Sequence, residues 1–191
     1  MDKAKREAII SETTLEDFIE EIEESICLPS GLLIHCPEQC DIESLAKELN
    51  QKIDSAIMSI VKEVEDNLED GNYLEWAYKC NYEIDKNNII LKLNHFNIEE
   101  YGYNVELHEE FFDLDDVIEK VILNVASEKE IGSELKYEGL LSWTQIWGEE
   151  YNYTSLIGNT KENKYAKKLI LEDEVFWADY EDIFDDGEEW D

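Results

Sequence analysis

The chain has 191 residues, 43% of them apolar and 11% aromatic, which is enough to build a core and excludes a chain disordered throughout. Against 16 basic residues stand 49 acidic ones, a net charge of −33, and Arg6 is the sole arginine among those bases. This balance excludes direct nucleic-acid binding, which needs Lys and Arg clustered at phosphates, and makes a basic protein the natural partner.

In chain order, residues 2–12 are of mixed charge and begin a helix. Thr13 or Thr14 can cap the next one, with Glu16 or Asp17 as the reciprocal partner of a capping box. Its apolar stripe is Leu15, Phe18, Ile19, Ile22 and Ile26, and Pro29-Ser30-Gly31 ends it. Asp17, Glu20, Glu21, Glu23 and Glu24 crowd the other face with no lysine among them. Like charges at i,i+4, such as Asp17–Glu21 and Glu20–Glu24, each cost about 0.2–0.5 kcal/mol, a sacrifice that a merely solvated face does not require.

A short strand is expected at Leu32 to His35. Asp41 then caps the longest apolar pattern in the chain, from Ile42 through Leu45, Leu49, Ile53, Ile57, Ile60, Val61 and Val64 to Leu68, with Gly71 closing it. This helix is the expected scaffold, and also a surface through which two chains could pair. From Tyr73 the period changes to two, through Leu74, Trp76, Tyr78, Cys80, Tyr82 and Ile84. Asp85-Lys86-Asn87-Asn88 reads as a turn and Ile89 to Phe96 as the returning strand. A third strand is expected near Tyr103–Leu107. Asp113 caps a helix through Leu114, Val117, Ile118, Val121, Ile122 and Val125. Leu140, Leu141, Trp143, Ile146 and Trp147 are compatible with helix or buried loop, and Leu169-Ile170-Leu171 with an edge strand. Lys161, Lys164, Lys167 and Lys168 form the basic cluster of the chain.

The fold class these elements imply is α+β, with a long amphipathic helix and further helices packed on a small antiparallel sheet. Residues 1–171 read as a single domain and 172–191 as an acidic aromatic C-terminal segment. Eleven of those last twenty positions are Asp or Glu, interleaved with Val175, Phe176, Trp177, Tyr180, Ile183, Phe184 and Trp190. Solvating acidic tails lack such rings. Carboxylates alternating with rings suit a surface that is bound, with charge for steering and rings as anchors; the plainer reading is that the rings dock the C-terminus onto the domain.

Signals for chemistry are weak. His35, His95 and His108 make no HExxH spacing, and GxGxxG, GxxxxGK[ST] and GxSxG are all missing, so no catalytic residue is assigned and the chain is not read as an enzyme. Cys27, His35, Cys36 and Cys40 lack the close pairs that zinc prefers, and Asp182, Asp186 and Gly187 mimic only the opening of a calcium loop, so no metal or cofactor is assigned. The N-terminal run MDKAKREAII carries no apolar leader core and no stretch approaches a membrane span, so the expectation is a cytoplasmic protein with reduced thiols and no membrane contact.

The runs Glu16–Glu24, Glu109–Asp116 and Glu172–Asp191, in a small, lysine-rich and arginine-poor acidic chain, resemble at class level the phage and mobile-element inhibitors of bacterial defence. Anti-CRISPR proteins and anti-restriction DNA mimics belong to that class. The resemblance implies a target with a cationic nucleic-acid channel, an RNA-guided nuclease or a restriction enzyme, and blockage of its DNA or RNA binding in the host cytoplasm. The candidate partner-binding residues are Glu16, Asp17, Glu20, Glu21 and Glu24; Glu109, Glu110, Asp113, Asp115 and Asp116; and Glu172, Asp173, Glu174, Trp177, Asp179, Tyr180, Glu181, Asp182, Asp185, Asp186, Glu188, Glu189 and Trp190. An immunity-type or adaptor protein neutralising a basic toxin is the second reading, and a cryptic enzyme or divalent-metal protein the third.

Overall fold

The computed structural model describes residues 1–22, 24–26, 28–101, 114–141, 154–155 and 164–184. Two helices open the chain. Helix α1 (Lys3–Ser11) is capped by the Asp2 carboxylate, which accepts from the Lys5 amide at 2.9 Å. Helix α2 (Leu15–Ile22) is capped by Thr14, whose hydroxyl accepts from the Asp17 amide at 3.1 Å. It buries Leu15, Phe18, Ile19 and Ile22, the expected stripe. It stops at Ile22, where the Ser25 and Ile26 amides both turn back onto the Ile22 carbonyl, so Glu24 lies beyond the helix.

Strand β1 (Ser30–His35) leads to helix α3 (Ile42–Asp66), 25 residues capped by Asp41. Its inner stripe is Leu45, Ala46, Leu49, Ile53, Ile57 and Val61. Asn67 caps its end, and Gly71, at φ +94°, supplies the left-handed turn into the sheet rather than closing the helix itself. Strands β2 (Tyr73–Asp85) and β3 (Asn88–Tyr101) form the expected hairpin around a two-residue turn with Lys86 at φ 55°. A register shift between Ala77 and Lys79, where one β2 position stands opposite two of β3, marks a bulge on the β3 side. Helix α4 (Leu114–Glu128) follows the expected pattern; the strand proposed near Tyr103–Leu107 and the cap Asp113 lie outside the described residues. Two further elements are β4 (Lys136–Leu141) and the two-residue β5 (Thr154–Ser155).

Helix α5 (Lys164–Glu172) contains Leu169-Ile170-Leu171, so the edge strand expected there is a helix. The reason lies in the neighbouring positions: Ala166, Leu169 and Ile170 recur at i, i+3, i+4 and are all buried. Leu140 and Leu141, compatible with helix or loop in the sequence, lie in strand β4. Helix α6 (Glu174–Phe184) comes from the first half of the acidic aromatic segment.

The sheet runs β2-β3-β1-β4-β5, antiparallel over its first four strands, with β5 parallel to β4. This α+β fold has two cores because β1, at the centre of the sheet, buries both faces. Leu32 and Ile34 pack with Ile89, Leu91 and Tyr137 beneath α3 and α4. Leu33, Ile90 and Leu140 meet the opposite layer of Ile10, Phe18, Ile19, Leu169, Phe176 and Trp177, from α1, α2, α5 and α6. Gly31 is the point of closest approach in that layer: a Cβ there would stand 2.8 Å from Leu169 Cδ2 and 2.9 Å from the Leu91 carbonyl oxygen. No helix among the described residues is long and apolar enough to cross a membrane.

Candidate acidic binding surface

Where the carboxylates point is decided by where the few cations sit. Much of the described C-terminal segment is consumed internally. Asp173 is 3% exposed and caps α6, its carboxylate accepting from the Phe176 amide at 2.8 Å. Trp177 is fully buried and donates from Nε1 to the Ile170 carbonyl at 2.8 Å. Both were candidate contact residues; in this fold neither reaches solvent, because the sequence places them on the turn that seats α6 in the core. Glu174 receives the Arg6 guanidinium through two hydrogen bonds of 2.8 and 2.6 Å. Arg6 also donates to the Leu171 carbonyl and lies over the Trp177 ring, 5.8 Å from its centroid. Glu172 pairs with Lys92, and Glu181 with the N-terminal ammonium, at 2.7 and 2.8 Å. Tyr180 is half-buried against Phe18, Trp177 and Phe184. Asp182 is exposed and Asp179 partly so. Asp185, Asp186, Glu188, Glu189 and Trp190 lie outside the described residues, as do Glu109, Glu110 and Asp113; Asp115 and Asp116 fall in the first turn of α4.

Of the basic cluster, Lys164 and Lys168 are likewise matched, while Lys161 lies outside the described residues. Lys164 binds Asp85, while Lys168 and the nearly buried Lys92 share Glu83 and Glu172. All of these except Glu172, with Tyr165, Ile84, Ile90 and Leu169, line a cleft of about 300 Å³ between the hairpin and α5. Each of its ammonium groups already faces a carboxylate, so the cleft reads as an electrostatic staple holding α5 to β2 and β3. Lys92 was not singled out in the sequence; no local signal couples it to Glu172, 80 positions away.

The staple has a pH signature. Hydrogen bonds from Lys168 and then Lys92 hold the Glu83 carboxyl below its usual range, and those from Tyr165 and then Lys164 do the same for Asp85. Depressed folded-state values mean stability that is present above the ordinary carboxylate pKa and lost as pH falls through the lowered ones. Protonating the unpaired carboxylates acts in the opposite sense, by relieving self-repulsion in a chain of net charge −33. The melting temperature should therefore rise from pH 7 to about 5 and fall again below about 4, where the stapled groups protonate. Circular-dichroism melts in dilute solution check this, and a rise continuing without a maximum down to about pH 3 would show that the pairs contribute nothing.

Helix α2 is different. Glu16, Asp17, Glu20 and Glu21 are exposed on the face opposite its buried stripe, and Glu24 is exposed just beyond. Among the described residues no cation pairs with any of the five. Comparison with known protein families, with curated proteins and with solved structures gives no match. The surface is therefore interpreted from its own chemistry. Four carboxylates on a helix about 12 Å long amount to about one charge per 3 Å, close to the one per 3.4 Å of a single nucleic-acid strand. Because α2 is pinned by Phe18 and Ile19, 4% and 0% exposed, these charges are ordered before anything binds.

The sulfur and imidazole groups near β1 are not assembled into such a surface. Burial pushes the Cys36 thiol up to about 12, and Cys40 is raised for the same reason. Among the described residues no group of three or more His, Cys, Asp or Glu side chains is arranged to hold a metal ion. Cys27, Asp186 and Gly187 lie outside those residues.

Proposed function

We propose that this protein acts by binding: it presents ordered carboxylates, foremost those of α2, to a cationic nucleic-acid-binding protein and blocks access of DNA or RNA. The target class is a nuclease with a positively charged channel, of the RNA-guided or restriction type. The observation that carries the reading is the uneven use of charge. Arg6, Lys92, Lys164, Lys168 and the N-terminal ammonium are spent on Glu83, Asp85, Glu172, Glu174 and Glu181, and Lys52 and Lys129 on Glu48 and Glu128, whereas among the described residues no cation pairs with the four carboxylates of α2. A fold that only needed solubility would gain stability by moving a lysine into that row.

A second reading, an immunity-type protein covering the active site of a basic toxin, is favoured by the compactness of this ridge, which fits within one interface of standard size. One experiment tests both. The immobilised protein is exposed to bacterial lysate, and captured proteins are eluted with salt or with duplex DNA or RNA. Mimicry expects nucleic-acid-binding proteins released by either, with their nuclease activity suppressed by the free protein. Release by salt but not by nucleic acid selects the immunity reading. Capture unchanged by salt, or unchanged after charge reversal on α2, overturns both.

A further inference from the structure

The last turn of α6 leaves Ile183 48% and Phe184 45% exposed. A single exposed apolar residue is ordinary, but two adjacent large ones bordered by acids are less so. The Phe184 ring lies 5.0 Å from that of Tyr180, which lies 6.1 Å from Phe18 of α2, so the patch is continuous with the flank of the acidic helix. On that flank Asp17 precedes Phe18, and Glu21 follows it by one turn. The α6 terminus adds to the negative potential: its last turn holds Asp182 and no basic residue, so the carboxylate stands beside the negative end of the helix dipole. That arrangement disfavours a second copy carrying −33 as the occupant.

We propose that the α6 end and the α2 flank form one docking surface for a cationic amphipathic helix of a partner protein, with apolar anchors on Ile183 and Phe184 and Lys or Arg facing Asp17, Glu21 and Asp182. This rests on the reading that the acidic face is the partner-binding face, and it adds that recognition is part apolar rather than purely that of a polyanion. A helix laid into such a surface offers its apolar residues at i, i+3, i+4 and its charges on either side.

The test uses the full-length protein and two labelled peptides of equal length and charge, one a leucine–lysine amphipathic helix and the other leucine-free, read by fluorescence anisotropy. The amphipathic peptide should bind at least about tenfold more tightly, and the double variant Ile183→Ser, Phe184→Ser should erase that advantage while retaining affinity for the leucine-free peptide. Melts confirm that the variant is folded. Equal affinity of the two peptides for the wild-type protein, or an advantage that survives in the double variant, overturns the proposal. A lysate partner that nucleic acid fails to displace would sink mimicry and leave the peptide result standing, so the two failures are separable.

Discussion

Trp177→Ala should cost about 3–5 kcal/mol of folding stability, a large fraction of what a domain has to lose. The indole is fully buried and packed on three sides: Phe18 is stacked at 6.3 Å, while Phe176 and Tyr180 stand edge-on at 5.1 and 5.2 Å. Removing it opens a void too well buttressed to collapse, leaves the Ile170 carbonyl with the longer Asp173 amide bond of 3.3 Å in place of the indole's 2.8 Å, and takes the ring from beneath Arg6. Trp177→Phe keeps much of the volume and loses the hydrogen bond, so about 1–2 kcal/mol is expected. Urea titration with an unchanged m value is the measurement. A loss below about 1 kcal/mol for the alanine variant would mean that α6 is not part of the core.

The second prediction concerns sign as much as size. Replacing Glu20 and Glu21 together by Gln, which leaves the first-turn acids Glu16 and Asp17 at the positive end of the helix dipole, should make the protein more stable and bind less. Two i,i+4 repulsions, Glu16–Glu20 and Asp17–Glu21, and the i,i+3 pair Asp17–Glu20 disappear at about 0.2–0.5 kcal/mol each, raising the melting temperature by roughly 2–4 °C. At about 0.2–1 kcal/mol per carboxylate facing a cation, affinity for the captured partner should fall by roughly twofold to thirtyfold. Melts and equilibrium binding on the same preparation check both. A variant that is more stable and binds equally well would make α2 an ordinary solvated face, and one that is less stable would mean its carboxylates have partners within the fold.

The staple and the acidic ridge divide one composition into two roles. Carboxylates within reach of Lys92, Lys164, Lys168 and Arg6 hold helices to the sheet or to each other. Those of α2 pair with none of these cations. In a chain with three acids for each base, most carboxylates must stay unpaired, and the fold concentrates a row of them on a short helix that its own hydrophobic stripe keeps rigid.

Periodicity was enough to locate α2, α3 and α4, because each buries one face and exposes the other, and the β2–β3 hairpin, because the alternation from Leu74 to Ile84 runs into a turn and a second apolar stretch. Strand β4 escaped notice because Tyr137, Leu140 and Leu141 are buried on both sides of a short segment interrupted by Gly139, which leaves no clean alternation. Leu169-Ile170-Leu171 misled because three apolar residues in a row fit a strand as well as a helix.

The sequence by itself determined the α+β class, the cap at Asp41, a second cap narrowed to Thr13 or Thr14, and a large excess of negative charge. Only the tertiary structure decided which carboxylates are available. Arg6 reaches Glu174 across 168 positions and Lys92 reaches Glu172 across 80. Ion pairs of that span leave no trace in local pattern, because the pairing depends on how sheet and helices are brought together rather than on either residue's neighbours.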